Sequence, residues 1–197
     1  MAQRGTPARR SKEDAAQYLQ RLERVHLAHE LIERGARQLL VYWATQLPAD
    51  RLVGLYRLKM NSNAALFPCG SIPRLQTVLR DPYRHAQASV FAGVLLHEQG
   101  AMSDQSLSPQ MLIRVFDLYR RLDPDPIGIT ECFFIARDLR TGALAMRWCE
   151  HCEVGYLVNA QSLRSALNRC PVCAIARLQV RVGEMSARNP ARGNEWV

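Results

Sequence analysis

The first long pattern in the chain is an apolar stripe that starts shortly after Lys12. Its members recur at alternating steps of four and three residues, which is one face of an α-helix. They are Tyr18, Leu22, Val25, His29, Ile32, Ala36, Leu39 and Trp43. We therefore predict one helix over residues 12–46, approximately, whose apolar face packs against other parts of the protein. We interpret His29 on this face as a hydrogen-bonded core or interface residue rather than as a ligand.

A second helix is predicted immediately after the first. Pro48 disfavours helical geometry at Leu47 but suits the first turn of a new helix, so we expect the break near Gln46 and the next helix over residues 48–60. Its buried side chains are expected to be Leu52, Val53 and Tyr56. The face that is expected to be exposed contains Asp50, Arg51, Gly54 and Arg57.

Apolar residues at helical spacing predict three further helices, over residues 83–99, 109–122 and 130–140. Ser108 and Pro109 indicate the start of the middle one, because serine caps free amide groups and proline suits a first helical turn. The pattern as a whole predicts a mainly α protein.

Polar segments rich in glycine and proline separate these helices. We expect a loop at "NSNAALFPCGSIPR", residues 61–74, a break at "DPDPIG", residues 123–128, and a helix stop at Gly142. Residues 1–11 are polar and basic, with a glycine and a proline that interrupt regular structure, so we predict a disordered arm there.

Four of the six cysteines lie close together near the carboxy terminus, in "CEHCEVGYLVNAQSLRSALNRCPVC". They form two Cys-x-x-Cys pairs with seventeen residues between them, and this spacing is typical of a four-thiolate zinc site. The predicted ligands are Cys149, Cys152, Cys170 and Cys173. We predict one structural zinc ion per chain, since four thiolates leave no open position for water or substrate. A redox switch that releases zinc and an iron-sulfur cluster are the alternatives.

The remaining thiols and the histidine beside the site are interpreted as non-ligands. His151 lies inside the first pair, where four thiols already suffice, while Cys69 is expected to be a loop thiol and Cys132 a small buried apolar residue. Between the pairs, "EVGYLVNA" predicts a short strand around Gly155, and "SLRSALN", residues 162–168, predicts one or two helical turns. Such a thin local core needs the metal in order to fold.

Length and composition fit one domain, or one domain with a small satellite. The chain has 197 residues, of which 48% are hydrophobic, and this is enough to bury a core. It contains neither an apolar run of about 20 residues nor an apolar segment behind its basic N-terminus, so we expect a cytoplasmic protein. Reducing conditions there favour a metal site over disulfides.

The net charge of +8 suggests a polyanionic partner. Only two of the 26 basic residues are lysines, and an arginine excess also arises from a G+C-rich genome, so a solvated basic surface is the alternative. The helix pair with a short break at "TQLP" looks like a helix-turn-helix. If its second helix reads DNA, Arg51 and Arg57 are the side chains able to reach bases or phosphates; otherwise they lie on a solvated face.

The segments "LIERGARQLLVYWATQLPADRLVGLYRLK" and "HAQASVFAGVLL", followed by the four-cysteine block, resemble the C subunit of the bacterial flagellar master transcriptional activator, the FlhC family. The resemblance covers residues 20–180, approximately. It implies a cytoplasmic activator that assembles with a small helical D subunit into a heterohexamer, binds upstream of flagellar operons and recruits RNA polymerase. The family's zinc ligands coincide with the four cysteines. Two departures are a longer N-terminal arm and Leu47-Pro48 in place of the usual polar cap.

Together these features predict a helical domain containing a helix-turn-helix-like pair, followed by a small four-cysteine, ribbon-like zinc region. The expected limits are an arm over residues 1–11, a DNA-binding and oligomerisation domain over 12–142, the zinc region over 143–180 and a flexible tail over 181–197. A zinc-ribbon adaptor that binds only protein is the alternative function. An enzyme is the weaker rival, since the sequence contains no phosphate-binding loop, hydrolase motif or nucleophile elbow.

Overall fold

The computed structural model describes residues 7–62, 75–100, 107–160 and 169–188. Eight α-helices and one two-stranded sheet form this part of the chain, which is mainly α as the sequence predicted. In chain order the elements are α1 Pro7–Glu33, α2 Gln38–Thr45, α3 Ala49–Ser62, α4 Leu75–Arg80, α5 Pro82–Gly100, α6 Pro109–Leu122, α7 Ile129–Arg140, β1 Leu144–Trp148, β2 Gly155–Asn159 and α8 Pro171–Arg188. None of the helices in these ranges is both long and apolar enough to cross a membrane.

Contacts between residues divide the chain into two compact units. The described residues of unit 1 are 7–62, 107–114 and 128–130. Those of unit 2 are 75–100, 115–127, 131–160 and 169–188. Unit 1 thus contains α1, α2 and α3, whereas unit 2 contains α5 together with the four-cysteine region. The domain limit predicted at residue 142 stays a prediction.

Helix α1 ends earlier than the apolar stripe suggested. Gly35 adopts a φ of +77°, in the left-handed region that favours glycine. The amide groups of Gly35 and Ala36 donate to the carbonyl groups of Ile32 and Leu31, which is the Schellman arrangement that closes a helix C-terminus. The single helix predicted through residue 46 is therefore wrong, because the chain turns at Gly35 and starts again as α2 at Gln38.

The predicted break near Gln46 is confirmed. Gln46 adopts a left-handed conformation, with φ 53° and ψ 28°, and its amide donates to the carbonyl of Tyr42 at the end of α2. After Leu47 and Pro48, α3 begins at Ala49 and continues to Ser62, two residues beyond the predicted end. The eight-residue helix α2, a three-residue turn and α3 therefore follow one another as in a helix-turn-helix.

A small core and two tertiary polar contacts join the three helices of unit 1. Its buried apolar side chains on these helices and the turns between them are Leu27, Ala28, Leu31, Ile32, Ala36, Leu40, Val41, Leu47 and Leu52. Tyr56 on α3 donates its hydroxyl to the carbonyl of Ala36 at 2.7 Å. Lys59 forms an ion pair with Glu33 at 2.9 Å, and this contact lowers the pKa of Glu33.

Much of the predicted stripe is not a packing face within the described residues. Ile32 and Ala36 are buried, but the residues towards both ends are exposed, namely Tyr18, Leu22, Leu39 and Trp43. His29 is also exposed, with its ring 4.0 Å from Glu33, so it is not a core residue. The buried face of α1 is instead centred on Leu27, Ala28 and Leu31, because the turn at Gly35 removes the continuity on which the stripe depended.

The later helices agree well with the sequence patterns. Helix α6 has the predicted limits, and the Ser108 hydroxyl accepts a hydrogen bond from the amide of Met111, as expected for a cap. Residues 123–128 are not helical, α7 starts one residue before its predicted position, and Gly142 follows it with a φ of +72°. Helix α5 starts at Pro82, where Asp81 Oδ1 accepts hydrogen bonds from the next amide groups.

The carboxy-terminal part contains two elements that the sequence analysis missed. Strand β1 pairs with the predicted strand β2 in an antiparallel hairpin, with Leu144 opposite Asn159 and Trp148 opposite Gly155. Helix α8 continues to Arg188, so residues 181–188 are helical and not part of a flexible tail. No proline interrupts the chain between Pro171 and Arg188, and α8 packs against α5.

Helix α1 likewise starts earlier than predicted. Residues 7–11 belong to α1 and not to a disordered arm, because Pro7 fits the first turn of a helix. Residues 1–6 of that arm lie outside the described residues. The same holds for residues 63–74, most of the predicted loop, and for the predicted helical turns over residues 162–168.

Candidate metal centre and candidate DNA-binding helix

The first cysteine pair lies in a tight turn between the two strands. Cys149 follows β1 directly, and its amide donates to the carbonyl of Val154 at 3.0 Å. The amide of Glu153 donates back to the carbonyl of Cys149 at 2.9 Å, and Glu153 takes a positive φ of 54° to close the turn. The backbone therefore folds back within six residues, and the side chains of Cys149 and Cys152 lie on the same side of this turn.

The second pair lies at the start of α8. Cys170 comes directly before the helix, and its carbonyl accepts the hydrogen bond from the amide of Ala174 at 3.1 Å. Pro171 is the first helical residue, where its missing amide donor costs nothing. Cys173 lies in the same first turn, where the partial positive charge of the helix N-terminus favours nearby thiolates.

The four thiols converge on one point. Their sulfur atoms all lie within 4.8 Å of one another, and the group consists of Cys149, Cys152, Cys170 and Cys173. The sulfur atoms of Cys149 and Cys173 are 3.8 Å apart, and those of Cys152 and Cys170 are 3.4 Å apart. A tetrahedral ion with Zn–S bonds of ~2.3 Å needs S···S distances of about 3.8 Å. The donor set therefore fits such an ion, while His151 is exposed and outside the group.

Electrostatics favour a cation at this point. Hydrogen bonds from the amide groups of Cys152 and His151 lower the pKa of the Cys149 thiol to about 6. By contrast, loss of water around the Cys152 thiol and its hydrogen bond to Cys170 raise its pKa to about 12, and loss of water likewise raises the pKa of Cys173. Several thiolates so close together repel one another, and a bound dication removes that penalty.

The cysteine region is attached to α5 through both backbone polar groups of Leu157 in β2. His85 Nε2 lies 2.7 Å from the Leu157 carbonyl, and the Ser89 hydroxyl accepts the Leu157 amide at 3.0 Å. The same hydroxyl donates to the His85 carbonyl at 2.8 Å. His85 and Ser89, one helical turn apart on α5, therefore provide hydrogen-bond partners for the carbonyl and amide of Leu157. These two groups lie on the edge of β2 that faces away from β1.

Sequence reasoning missed this attachment. Its available signal was the pair of polar residues His85 and Ser89 at i and i+4 among the apolar positions of α5. The His85 ring also meets the Tyr156 ring edge-on at 6.2 Å, and burial lowers the pKa of His85. Tyr156, Val158 and Cys170 form a small buried cluster against which the other three cysteines pack. The candidate metal centre thus shares its core with strand β2.

The other two cysteines have separate surroundings. Cys132 on α7 is fully buried, its thiol lies 3.9 Å from the Ile127 carbonyl, and burial raises its pKa. Its interpretation as a small buried apolar residue is confirmed. Cys69 lies outside the described residues.

Helix α3 in unit 1 presents the face that the sequence predicted. Leu52 is buried and Tyr56 half-buried, whereas Asp50, Arg51, Gly54 and Arg57 are exposed. The next residue, Leu58, is 69% exposed, and a single exposed leucine is common on a protein surface. The exposed face of α3 therefore carries two arginines, one aspartate and one leucine beside a glycine.

A family model for the flagellar transcriptional activator FlhC matches residues 15–188, which includes both the α2–α3 pair and all four clustered cysteines. The chain belongs to the FlhC family. It is 24% identical over 162 residues to the flagellar transcriptional regulator FlhC of Enterobacter cloacae subsp. cloacae, covering 79% of this chain and 82% of that protein. It is 26% identical over 161 residues to FlhC of Yersinia enterocolitica, covering 79% and 80% of the two chains.

Membership of the FlhC family gives the chain a role as an activator of transcription in flagellum biogenesis. FlhC proteins form a family of transcriptional regulators and not a family of enzymes. This agrees with four thiols that could hold a metal without leaving a vacant coordination position.

Proposed function

We propose that this FlhC-family chain is the DNA-binding subunit of a flagellar transcription activator. It assembles with a small helical D subunit into a heterohexamer, binds promoter DNA through α3, and recruits RNA polymerase in the cytoplasm. One zinc ion, held by the four clustered cysteines, stabilises unit 2. The observation that carries the proposal is the family match across residues 15–188 together with the helix-turn-helix arrangement of α2 and α3.

Charge supports DNA as the ligand of α3. The chain has a net charge of +8, and Arg51 and Arg57 are exposed on the helix that a helix-turn-helix protein places in the major groove. The charge of Lys59 is balanced by Glu33, so the two arginines are the cations that α3 offers on its exposed face. Arginine forms bidentate hydrogen bonds with guanine and strong contacts with phosphate.

The chemistry of the four thiols supports zinc with a structural role. Cys149, Cys152, Cys170 and Cys173 are the ligands in this proposal, since their S···S distances fit a tetrahedral ion. The bound ion would stabilise thiolates and join the turn after β1 to the start of α8. We expect metal analysis of protein purified without chelator to give one zinc and no iron per chain.

Exposed apolar surface supports a protein partner. On α1 it consists of Tyr18, Leu19 and Leu22, and on α2 of Leu39, Tyr42 and Trp43. Clusters of large exposed apolar side chains are typical of interfaces. We expect the isolated chain to self-associate and co-expression with the D subunit to yield a single larger species, because a partner that binds only the folded chain stabilises it.

The test of DNA binding uses the co-expressed complex, a labelled flagellar promoter duplex and fluorescence anisotropy. Affinity should fall steeply with salt, with a slope of log affinity against log salt of roughly 0.9 per phosphate contacted. Arg51→Ala and Arg57→Ala should each weaken specific binding by about 1 to 3 kcal/mol. Arg140→Ala, which removes an exposed arginine from α7 in unit 2, is the matched control.

A protein-only adaptor is the rival that this experiment separates. The exposed aromatic residues of α1 and α2 would serve an adaptor equally well. A complex that forms normally with the D subunit but binds the promoter no better than an unrelated duplex, at any salt concentration, would favour the adaptor. Equal affinities of all three arginine variants and the wild type would remove α3 from the recognition surface.

A further inference from the structure

Gly54 lies in the interior of α3, where nothing within the described part of the chain requires a glycine. A Cβ atom built at this position meets no atom within 4 Å, and the positive φ angles of the described glycines are those of Gly35 and Gly142. Glycine in a helix interior is less favourable than alanine. An unfavourable residue that no described neighbour explains points to a contact beyond the described residues.

The chemistry around Gly54 identifies what approaches it. Residues three positions before and three positions after lie on the same helix face, and here they are Arg51 and Arg57. The residues four positions before and after Gly54 on this face are Asp50 and Leu58, both exposed, so the face carries two arginines against one aspartate. Two arginines beside an apolar side chain suit DNA, since guanidinium groups bind phosphates and guanine edges and an aliphatic group contacts the methyl group of thymine.

We propose that Gly54 is the point of closest approach between α3 and DNA. Without a Cβ atom, the helix backbone can lie about 1.5 Å closer to the groove than any other residue would permit. Arg51 and Arg57 then extend on either side of this point, towards the bases or the phosphates. The inference rests on the proposed DNA-binding function. It adds Gly54 as a residue that contributes by having no side chain, which lets the helix backbone come closer to DNA.

Gly93 on α5 provides the comparison glycine, which lacks arginine neighbours. It is also exposed in a helix interior with no atom within 4 Å of an added Cβ. Its neighbours at the same three-residue spacing are Val90 and Leu96, both exposed. No arginine stands at this spacing around Gly93, so its surroundings do not suit a polyanion, whereas the arginines around Gly54 do.

The test compares Gly54→Ala with Gly93→Ala in the co-expressed complex. Both substitutions should raise the midpoint of thermal unfolding by about 2 to 4 °C, because alanine is the better helix former and both sites have room for it. Gly54→Ala should nevertheless weaken promoter binding about tenfold, and Gly54→Leu should weaken it further. Gly93→Ala should leave promoter affinity within twofold of the wild type. A variant that is more stable and yet binds less well cannot owe its defect to misfolding.

Three results would overturn the inference. Wild-type affinity in Gly54→Ala, with weakened binding in Arg51→Ala, would leave α3 as the DNA-binding helix and refute the close approach. Loss of the D subunit on purification of Gly54→Ala would assign this face to a protein contact. A wild-type complex that binds no promoter duplex would refute the proposed function and, with it, the role of Gly54.

Discussion

Units 1 and 2 differ in where they leave apolar side chains exposed. In unit 1 most of these side chains are concentrated on one face of α1 and one face of α2, with Leu58 on α3 as the exception; they comprise Tyr18, Leu19, Leu22, Leu39, Tyr42 and Trp43. In unit 2 they are scattered over α5, α6, α8, β1 and the turn after β1. A concentrated patch can be buried by one partner, whereas scattered residues are normal for a protein surface.

The two units also differ in how their elements are joined. In unit 2 the backbone of Leu157 is satisfied by His85 and Ser89, and the four thiols offer a metal staple. Unit 1 has a small apolar core. It is supplemented by the hydrogen bond from the Tyr56 hydroxyl to the Ala36 carbonyl and by the exposed ion pair between Lys59 and Glu33. We therefore expect unit 2 to be stabilised by its own contacts and by a bound metal, and unit 1 to gain more from binding a partner.

The largest effect is expected from loss of the metal ion that would join the turn after β1 to the start of α8. Cys170→Ser should abolish metal binding and lower the midpoint of thermal unfolding on the order of 10 °C, because three ligands no longer complete a tetrahedral site. Limited proteolysis should cleave the region from β1 to α8 and, since β2 and α8 pack on α5, should extend to α5. Helices α1 to α3 should stay protected in the presence of the D subunit.

Cys132→Ala is the control, because it removes a buried thiol outside the cluster. This variant should keep one zinc per chain and lose less stability than Cys170→Ser. Equal cleavage of α1 to α3 and of the cysteine region in Cys170→Ser would contradict the independence of the two units. Full zinc occupancy in that variant would contradict the four-thiolate site.

The sequence was sufficient where local signals determine the structure. Ser108 and Pro109 located the start of α6, Pro48 marked the break before α3, and the two Cys-x-x-Cys pairs identified the thiols that converge. For the helix start and the break the determining residues are neighbours in the chain, and for the thiols the short spacing within each pair is the local signal. Hydrogen bonding within one turn and the steric limits of proline act at that range.

Sequence patterns did not predict the features that depend on contacts between residues far apart in the chain. The end of α1 is a different case, because a local signal was outweighed: the apolar repeat continues through Gly35, although a glycine there is a common helix stop and closes α1 by hydrogen bonds to Leu31 and Ile32. Strand β1 forms because β2 pairs with it, and α8 packs on α5. The contact between Ser89 and Leu157 joins residues 68 positions apart, a separation at which neither periodicity nor capping carries information.

A smaller effect is expected from the attachment of β2 to α5. Ser89→Ala removes the acceptor for the Leu157 amide and leaves that buried donor without its partner. The free energy of unfolding of unit 2 should fall by about 1 to 3 kcal/mol, which is typical when a buried polar group loses its hydrogen bond. Urea denaturation gives this value, and faster hydrogen exchange at the Leu157 amide would locate the change.

Thr141→Ala is the matched control for this prediction. It also removes a side-chain hydroxyl that bonds to backbone, here donating to the Asp138 carbonyl at 3.2 Å, but at an exposed position. Its cost should stay below about 0.5 kcal/mol. If Ser89→Ala lowered the free energy of unfolding as little as Thr141→Ala does, unit 2 would not depend on the Leu157 contacts. Its contrast with unit 1 would then rest on the metal alone.

The smallest expected effect is the pH dependence that His85 adds to unit 2. Burial lowers the pKa of His85 below the ~6.5 of an unfolded histidine, so the unfolded chain binds the proton more tightly. Stability should therefore decrease as pH falls through about 6.5 and level off only below the folded pKa. The effect should be smaller than that of Ser89→Ala, because a protonated imidazole can still donate to the Leu157 carbonyl.

His85→Gln isolates this contribution, since a glutamine amide can donate a hydrogen bond to the Leu157 carbonyl but does not titrate. Acid also weakens metal binding by protonating thiolates, and that loss is common to both proteins. The difference between wild type and His85→Gln in thermal unfolding, measured with excess zinc from pH 7.5 to pH 5.5, therefore reports His85. We expect wild-type protein to lose more stability over this range. Parallel pH profiles would show that His85 is protonated equally easily in the folded and unfolded chain, and that the edge of β2 is more open to water than its buried contacts indicate.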